Sequence, residues 1–260
     1  MTKIRSNGKA PDDAMLRVSK LRYAYGPAQA LNDISFAIEP GELVVLAGRN
    51  GAGKSTLLRC IAGWTRPAHG EILISGKPLS HNEREARQSM MLVPDTPVFY
   101  DQLTAWEHLT FIARAYRLER WEAQAKQLLE HFALSAQRDY YPFTFSRGMQ
   151  YKLGLCLALL VEPSLLLLDE PFGPLDPLSS EQLWHDLEIY RDAGIAILLS
   201  CHQLPTEAPP DRYLLMDQGT LLGDGTPKRL GEQFEVRGEP TLDRLLHAAV
   251  MEQMGRPFVH

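Results

Sequence analysis

Apolar and polar residues follow two different periods along this chain, and the two periods predict strands and helices in alternation. Between positions 16 and 38 apolar residues alternate with polar ones, which predicts two antiparallel strands with one buried face. Uninterrupted apolar runs are typical of strands buried on both faces. Three such runs occupy 43–47, 165–168 and 195–200. Shorter strands are predicted at 71–75 and 90–93, with a hairpin formed by 212–216 and 220–222.

Helical patterns dominate the middle of the chain, where helices are predicted at 105–116, 121–132 and 149–161. Further helices are predicted at 55–62, 179–192 and 241–254. Strands that alternate with helices form mainly parallel sheets joined by right-handed crossovers. The pattern therefore predicts an α/β fold with an N-terminal antiparallel β subdomain and a helical insertion. We expect a single domain with a loose tail at 1–13, a core at 14–99 and 162–225, a helical subdomain at 100–161 and a C-terminal extension at 226–260.

The composition argues against several classes of protein. Of the 260 residues, 45% are apolar and 23% are charged, unlike the proportions of disordered chains, collagens and disulfide scaffolds. The longest uncharged apolar stretch, 153–161, falls well short of the roughly 20 residues that a membrane span needs. The N-terminus lacks the apolar segment of a secretory signal. Three scattered cysteines fit a reducing compartment and no metal cluster. A net charge of −5 argues against a nucleic-acid partner.

A phosphate-binding loop is predicted at 48–55, where Gly-Arg-Asn-Gly-Ala-Gly-Lys-Ser matches the pattern G-x-x-x-x-G-K-S/T. Glycines let backbone N–H groups surround phosphates, and the following helix adds its positive N-terminal end. Lys54 would reach the β- and γ-phosphates, and the Ser55 hydroxyl would ligate Mg²⁺. An ordinary glycine-rich turn is the alternative, but the flanking buried strand and helix favour a P-loop NTPase core. The candidate nucleotide contacts are Asn50, Gly51, Gly53, Lys54, Ser55 and Thr56.

Two carboxylates follow the apolar run at 165–168. Asp169 and Glu170 therefore lie at a strand end, where open α/β sheets bind their ligands. Asp169 would hold Mg²⁺ through its water shell, and Glu170 would orient and deprotonate the attacking water. An acid at a strand end can instead cap the next helix. The phosphate-binding loop upstream favours the catalytic interpretation, with Lys54 and Glu170 as catalytic residues.

With these motifs in this order, residues 15–225 resemble the ATP-binding cassette (ABC) family of ATPases. The segment 145–150, Phe-Ser-Arg-Gly-Met-Gln, is similar to the family signature L-S-G-G-Q. The segment 171–176 is similar to the D-loop. His202, after a predicted strand, matches the switch histidine, and Tyr25 matches the aromatic residue that stacks on adenine. On their own, both would be structural or packing residues.

The resemblance implies ATP and Mg²⁺ as cofactors and a head-to-tail dimer with a second ABC ATPase subunit, either identical or related. Each ATP would contact the P-loop of one subunit and the signature loop of the other. Ser146 and Gly148 would form an anion site for the γ-phosphate, and Asp176 would contribute from the D-loop. Ser146 is equally a simple N-cap, and both roles use the same geometry. His202 would donate to the γ-phosphate beside Glu170.

The lid loop and the signature depart from the family pattern, the signature at Arg147 and also at Met149, which stands where the family has Gln. The lid loop carries Asp95 where the family usually has Gln, although ATPase subunits of ABC-2-type exporters also have acids there. Asp95 would still ligate Mg²⁺ with its shorter side chain, and the alternative is a turn residue between Pro94 and Pro97. Arg147 replaces the first glycine of the signature. It either clamps the γ-phosphate bound by the other subunit or is an ordinary exposed arginine.

Three functions compete. The resemblance favours the ATP-hydrolysing subunit of an ABC transporter, most like those of ABC-2-type exporters, which would drive a separate transmembrane permease. The permease would dock on the lid loop and the helices between 105 and 140, so the protein would be cytoplasmic and peripheral at the inner face of the membrane. A soluble ABC ATPase acting on ribosomes or nucleic acid is the alternative, but such proteins usually carry a second cassette, coiled coils or zinc modules. A non-hydrolysing regulatory cassette is disfavoured because Glu170 and His202 are retained.

Overall fold

A computed structural model describes residues 14–80, 83–205 and 208–255, which form two β-sheets flanked by helices. The strands are β1 (Leu16–Tyr25), β2 (Ala28–Ile38), β3 (Leu43–Gly48), β4 (His69–Ile74), β5 (Lys77–Pro78), β6 (Met90–Val93), β7 (Leu165–Asp169), β8 (Ala196–Cys201), β9 (Arg212–Asp217) and β10 (Thr220–Gly225). The helices are α1 (Lys54–Ile61), α2 (Glu83–Ser89), α3 (Ala105–Tyr116), α4 (Trp121–His131), α5 (Arg147–Leu159), α6 (Pro177–Asp192), α7 (Pro227–Gln233) and α8 (Leu242–Gln253). Short 3-10 helices occupy Ser135–Gln137 and Pro142–Thr144.

The larger sheet positions the functional loops. Its strand order is β10-β9-β3-β8-β7-β6, and its neighbours pair in parallel except in the β9–β10 hairpin. β8 thereby lies between β3 and β7, which are distant in sequence. The smaller sheet is antiparallel, with the order β2-β1-β4-β5. These two sheets and their helices confirm the predicted α/β class with its N-terminal antiparallel subdomain.

Side chains alternate across the larger sheet and form two apolar cores. Leu43 and Val45 of β3 face a core that contains residues of α3, α5, α6 and α8. Val44 and Leu46 face a second core, shared with the smaller sheet and α1. All four side chains are fully buried. Burial on both faces explains why this sheet has uninterrupted apolar strands, whereas β1 and β2 alternate.

Side-chain caps fix the starts of the helices that follow the functional loops. The Thr104 hydroxyl accepts from the Glu107 backbone N–H at 3.2 Å, and the Glu107 carboxylate accepts from the Thr104 N–H at 2.8 Å. Asp176 caps α6 by accepting from the Ser179 N–H at 2.9 Å. Such caps contribute about 1 kcal/mol each, so they define where the preceding loops end.

Most predicted elements are present, with small shifts at their ends, but β5, α2 and α7 were not predicted. α2 is largely polar and therefore lacks an apolar period. α7 follows Thr226 and has Pro227 at its first position, which is a start signal that the sequence did contain. The tail at 1–13, expected to be loose, lies outside the described residues. No helix in the three described ranges has the length and apolar character needed to cross a bilayer.

Candidate nucleotide-binding site

The carboxyl ends of β3, β7 and β8 meet at one edge of the larger sheet, because the three strands are parallel neighbours. β3 leads into the glycine-rich loop, β7 ends at Asp169, and β8 is followed by His202. Open α/β sheets bind their ligands at such edges. The strand order therefore brings Ser55 into contact with Asp169, although 114 positions separate them in sequence.

Contacts that only glycine permits shape the loop at 48–55. Gly53 has a φ of +104°, and a Cβ at this position would lie 2.6 Å from the Ala30 carbonyl oxygen. Lys54 is only 6% exposed, and its Nζ donates to the Gly48 carbonyl oxygen at 2.8 Å, which closes the loop. Gly53, the N-cap residue of α1, has no side chain that could cap the helix. The first N–H groups of α1 and its positive end can therefore receive an anion.

Ser55 and Asp169, two of the three residues predicted to ligate Mg²⁺, are hydrogen-bonded. The Ser55 Oγ donates to Asp169 Oδ1 at 3.0 Å, and Asp169 is almost fully buried. Mg²⁺ in nucleotide sites usually takes one or two carboxylates and completes its oxygen ligands with phosphates and water. The hydroxyl–carboxylate pair fits that ligand set. Among the described residues, no three Asp, Glu, His or Cys side chains form a metal-binding group.

Glu170 contacts both of the other residues predicted to act in hydrolysis, Lys54 and His202. Its Oε1 lies 3.1 Å from Lys54 Nζ, and its Oε2 lies 3.0 Å from His202 Nδ1. The backbone of Glu170 has a φ of +47°, a left-handed conformation that is rare for residues with a Cβ and is often found at functional sites. The side chain of His202 is 64% exposed, so the histidine is the solvent-facing end of this arrangement.

Ser200 is a site residue that the sequence analysis did not predict. It lies in β8 and is fully buried. Its Oγ donates to Asp169 Oδ1 at 2.7 Å and accepts from the Glu170 backbone N–H at 3.0 Å. Ser200 therefore positions both acids at the end of β7, Asp169 and Glu170. The available signal was a hydroxyl in an otherwise apolar strand, because a buried polar group needs a partner.

Tyr25, the predicted adenine-stacking residue, lies at the end of β1 beside α1. Its hydroxyl oxygen is 3.5 Å from the Thr56 Oγ1, and its ring meets the Tyr23 ring edge to face, with centroids 4.8 Å apart. Tyr25 is 49% exposed. An exposed ring beside the glycine-rich loop leaves aromatic surface available for stacking.

Asp95 and Arg147, which both depart from the family pattern, contact each other. The Arg147 Nη2 donates to Asp95 Oδ1 at 2.7 Å, and the two side chains are 58% and 41% exposed. Arg147 is therefore exposed but paired, and Asp95 is joined to the signature loop. A half-exposed ion pair of this kind contributes only about 0–1 kcal/mol. A role of Asp95 in binding nucleotide or Mg²⁺ stays a prediction.

Ser146, Gly148 and Asp176 lie at the starts of α5 and α6. Ser146 caps α5 by accepting a backbone N–H at 3.2 Å, which is the N-cap expected of it. A Cβ at Gly148 would lie 2.9 Å from the Pro174 carbonyl oxygen, so glycine lets α5 pack against the D-loop. Hydrogen bonds from Ser179 lower the pKa of the exposed Asp176 carboxyl.

Comparison with known proteins places this arrangement in a family. A family model described as ABC transporter matches residues 31–173. The chain is 36% identical over 245 residues to the ABC-type transporter ATP-binding protein EcsA of Bacillus subtilis strain 168, covering 93% of this chain and 99% of that protein. It is 32% identical over 228 residues to the SkfA peptide export ATP-binding protein SkfE of the same organism, covering 86% and 95%. A solved structure of an ATP binding subunit of an ABC transporter superposes with a TM-score of 0.85 at 36% identity, covering 91% and 99%. The chain therefore belongs to the family of ABC transporter ATP-binding proteins.

Proposed function

We propose that this chain is the ATP-hydrolysing subunit of an export-type ABC transporter and that it drives a separate transmembrane permease. The observation that carries the proposal is the contact of Lys54, Glu170 and His202 through one carboxylate. The metal-binding pair Ser55–Asp169 lies at the same convergent strand ends. Membership of the ABC family supplies ATP as the nucleotide.

ATP would bind with its phosphates against the loop at 48–55, where Lys54 and the start of α1 attract negative charge. Lys54 Nζ lies between the Gly48 carbonyl and Glu170, and γ-phosphate oxygens would compete for it. The released Glu170 carboxylate would accept a proton from water as the water oxygen attacks the γ-phosphorus and the bond to the β–γ bridging oxygen breaks. His202 would donate a ring N–H to a γ-phosphate oxygen.

Ser55 and Asp169 would hold Mg²⁺, which neutralises charge on the β- and γ-phosphates when bound. Ser200 would keep the Asp169 carboxylate oriented for this purpose through its 2.7 Å hydrogen bond. Asp95 would add a carboxylate oxygen, and its Oδ2 is the oxygen to which Arg147 does not bond.

A second copy of the chain, or a related subunit, would complete each nucleotide site in a head-to-tail dimer. Ser146 and Asp176 are exposed at helix starts, where side-chain oxygens and backbone N–H groups can reach a nucleotide held by the other subunit. Gly148 brings the α5 backbone into this surface without a side chain. Tyr25 would stack on the adenine from the first subunit.

An exposed apolar surface beside the lid loop fits a docking site for the permease. Val98, Tyr100 and Phe111 are 91%, 60% and 47% exposed, and the rings of Tyr100 and Phe111 meet at 5.5 Å. The Tyr100 backbone is held in place because its N–H donates to His108 Nε2 at 2.9 Å. Grouped exposed apolar residues often mark interaction sites. Cytoplasmic helices of the permease would cover them and hold the protein at the inner face of the membrane.

The direction of transport is proposed from similarity. SkfE is named for export of the SkfA peptide, and this chain matches nearly all of its length. The acid at Asp95 also resembles the lid loop of ABC-2-type exporters. The alternative of a soluble ATPase on ribosomes or nucleic acid gains no support from EcsA or SkfE.

The decisive experiment compares ATP hydrolysis by the parent and by Glu170→Gln in the presence of Mg²⁺. Loss of a general base should lower the turnover number by at least about a hundredfold, whereas ATP binding should persist. Glu130→Gln, an exposed change on α4, is the matched control and should hydrolyse ATP like the parent. Equal turnover by Glu170→Gln and the parent would contradict the assigned role. Copurification with a membrane protein encoded nearby would test the permease partner.

A further inference from the structure

Tyr151, on α5 directly after the signature segment, is the bulkiest of the fully buried side chains. Its ring packs in the core that lies beneath the helical side of the larger sheet. Its hydroxyl has no hydrogen-bond partner among the described residues. Buried hydroxyls are nearly always hydrogen-bonded, and phenylalanine would fill the same space without one. The unpartnered oxygen therefore indicates that something further binds there.

The neighbours of Tyr151 on α5 show which part of the molecule it faces. One turn earlier, Arg147 donates to Asp95 at 2.7 Å. One turn later, Gly154 lies so close to Val93 that a Cβ would be 3.2 Å from that side chain. Residues three or four apart share a helix face. Tyr151 therefore faces the end of β6 and the lid loop that follows it.

Three carboxylates act on this hydroxyl. Burial first, and then the charges of Asp169, Asp95 and Glu170, raise the pKa of Tyr151 well above its ordinary value, so the group remains a neutral donor. None of these carboxylates bonds to it directly. Both side-chain hydrogen bonds that Asp169 accepts from described residues end on Oδ1. Val93 pairs with Leu168, so Asp95 and Asp169 come soon after neighbouring positions of β6 and β7. A water molecule is the smallest group that can link a donor to acceptors with which it makes no direct hydrogen bond.

We propose that Tyr151 is a positioning residue of the nucleotide site, and that its hydroxyl donates to a water molecule shared with the carboxylates of Asp95 and Asp169. This water orients the carboxylates of Asp95 and Asp169, which are both predicted to bind Mg²⁺. The inference rests on the proposed function, because the bridge matters only where those carboxylates receive Mg²⁺ with ATP. The inference assigns a bound water to Tyr151, which lies just outside the signature segment 145–150.

The test uses the full chain and a fluorescent ATP analogue. Affinity is measured first in EDTA and then during titration with Mg²⁺, for the parent, Tyr151→Phe and Tyr213→Phe. Tyr213 is a second buried tyrosine, in β9, and serves as the matched control for losing a hydroxyl. Tyr151→Phe should keep the parent affinity in EDTA. The Mg²⁺ concentration for half-maximal enhancement should rise about three- to tenfold, the effect of one lost hydrogen bond.

An unchanged Mg²⁺ response in Tyr151→Phe, an equal change in Tyr213→Phe, or an equal loss of affinity in EDTA would overturn the inference. Failure of the parent itself to bind the analogue would instead refute the proposed function, and the role of Tyr151 with it. Crystals of the parent with Mg²⁺ and a non-hydrolysable ATP analogue give an independent readout. A water within hydrogen-bond distance of the Tyr151 hydroxyl and of Asp95 or Asp169 is expected, and its absence would overturn the inference.

Discussion

Replacing Ser200 with alanine removes the side-chain hydrogen bonds that position the two acids at the end of β7, Asp169 and Glu170. The Ser200 Oγ donates to Asp169 at 2.7 Å and accepts from the Glu170 N–H at 3.0 Å. Neither partner loses all its bonds, because Asp169 keeps the bond from Ser55 at 3.0 Å and the Glu170 N–H keeps the Ser200 carbonyl at 3.1 Å. The loss is therefore mainly one bond to a charged group. We expect the free energy of unfolding to fall by about 1.5–2 kcal/mol, the low end for such bonds.

For a chain of this size, that loss corresponds to a fall in Tm of about 3–8 °C. Thermal unfolding of the full chain, followed by circular dichroism without nucleotide, would measure it. Ser180→Ala is the matched control, since Ser180 is a buried serine of α6 that contacts neither acid in the described structure. Its free energy of unfolding should fall by less than that of Ser200→Ala, because no bond to a carboxylate of the site is lost. A Tm of Ser200→Ala equal to that of the parent would refute the assigned hydrogen bonds.

Two further predictions concern the glycine-rich loop and the lid loop. Gly53→Ala should destabilise the fold by about 1–3 kcal/mol more than Gly194→Ala, because both glycines have positive φ but only at Gly53 would a methyl group meet a carbonyl oxygen, at 2.6 Å. Equal shifts in thermal unfolding would contradict this. Burial lowers the pKa of His108, so the unfolded chain takes up a proton first as the pH falls through the ordinary value of about 6.5. The free energy of unfolding, measured by urea titration, should therefore fall more steeply between pH 7.5 and 5.5 in the parent than in His108→Gln. Equal slopes of this free energy against pH would contradict the lowered pKa of His108.

The local pattern predicted most strands and helices because the larger sheet is buried on both faces and leaves uninterrupted apolar runs. The glycine-rich loop and the acids Asp169 and Glu170 were also predictable, since phosphate and metal binding require fixed residue types beside strand ends. Ser200 and Tyr151 were not predicted. Their contacts depend on β8 lying between β3 and β7 and on α5 packing against β6. Strand order and helix packing are set by the whole chain, so no local spacing reveals them.

Asp95 and Arg147 show how a tertiary contact changes the meaning of two sequence departures. Taken singly, the acid suggests a metal ligand and the arginine a phosphate clamp. Paired at 2.7 Å, they form one ionic link between the lid loop and the start of α5. An exposed pair contributes at most about 1 kcal/mol, whereas Mg²⁺ and a phosphate would offer each side chain a stronger opposite charge. The link uses one carboxylate oxygen and one guanidinium nitrogen, so the other oxygen of Asp95 and the remaining N–H groups of Arg147 can serve these two roles while the link stays closed.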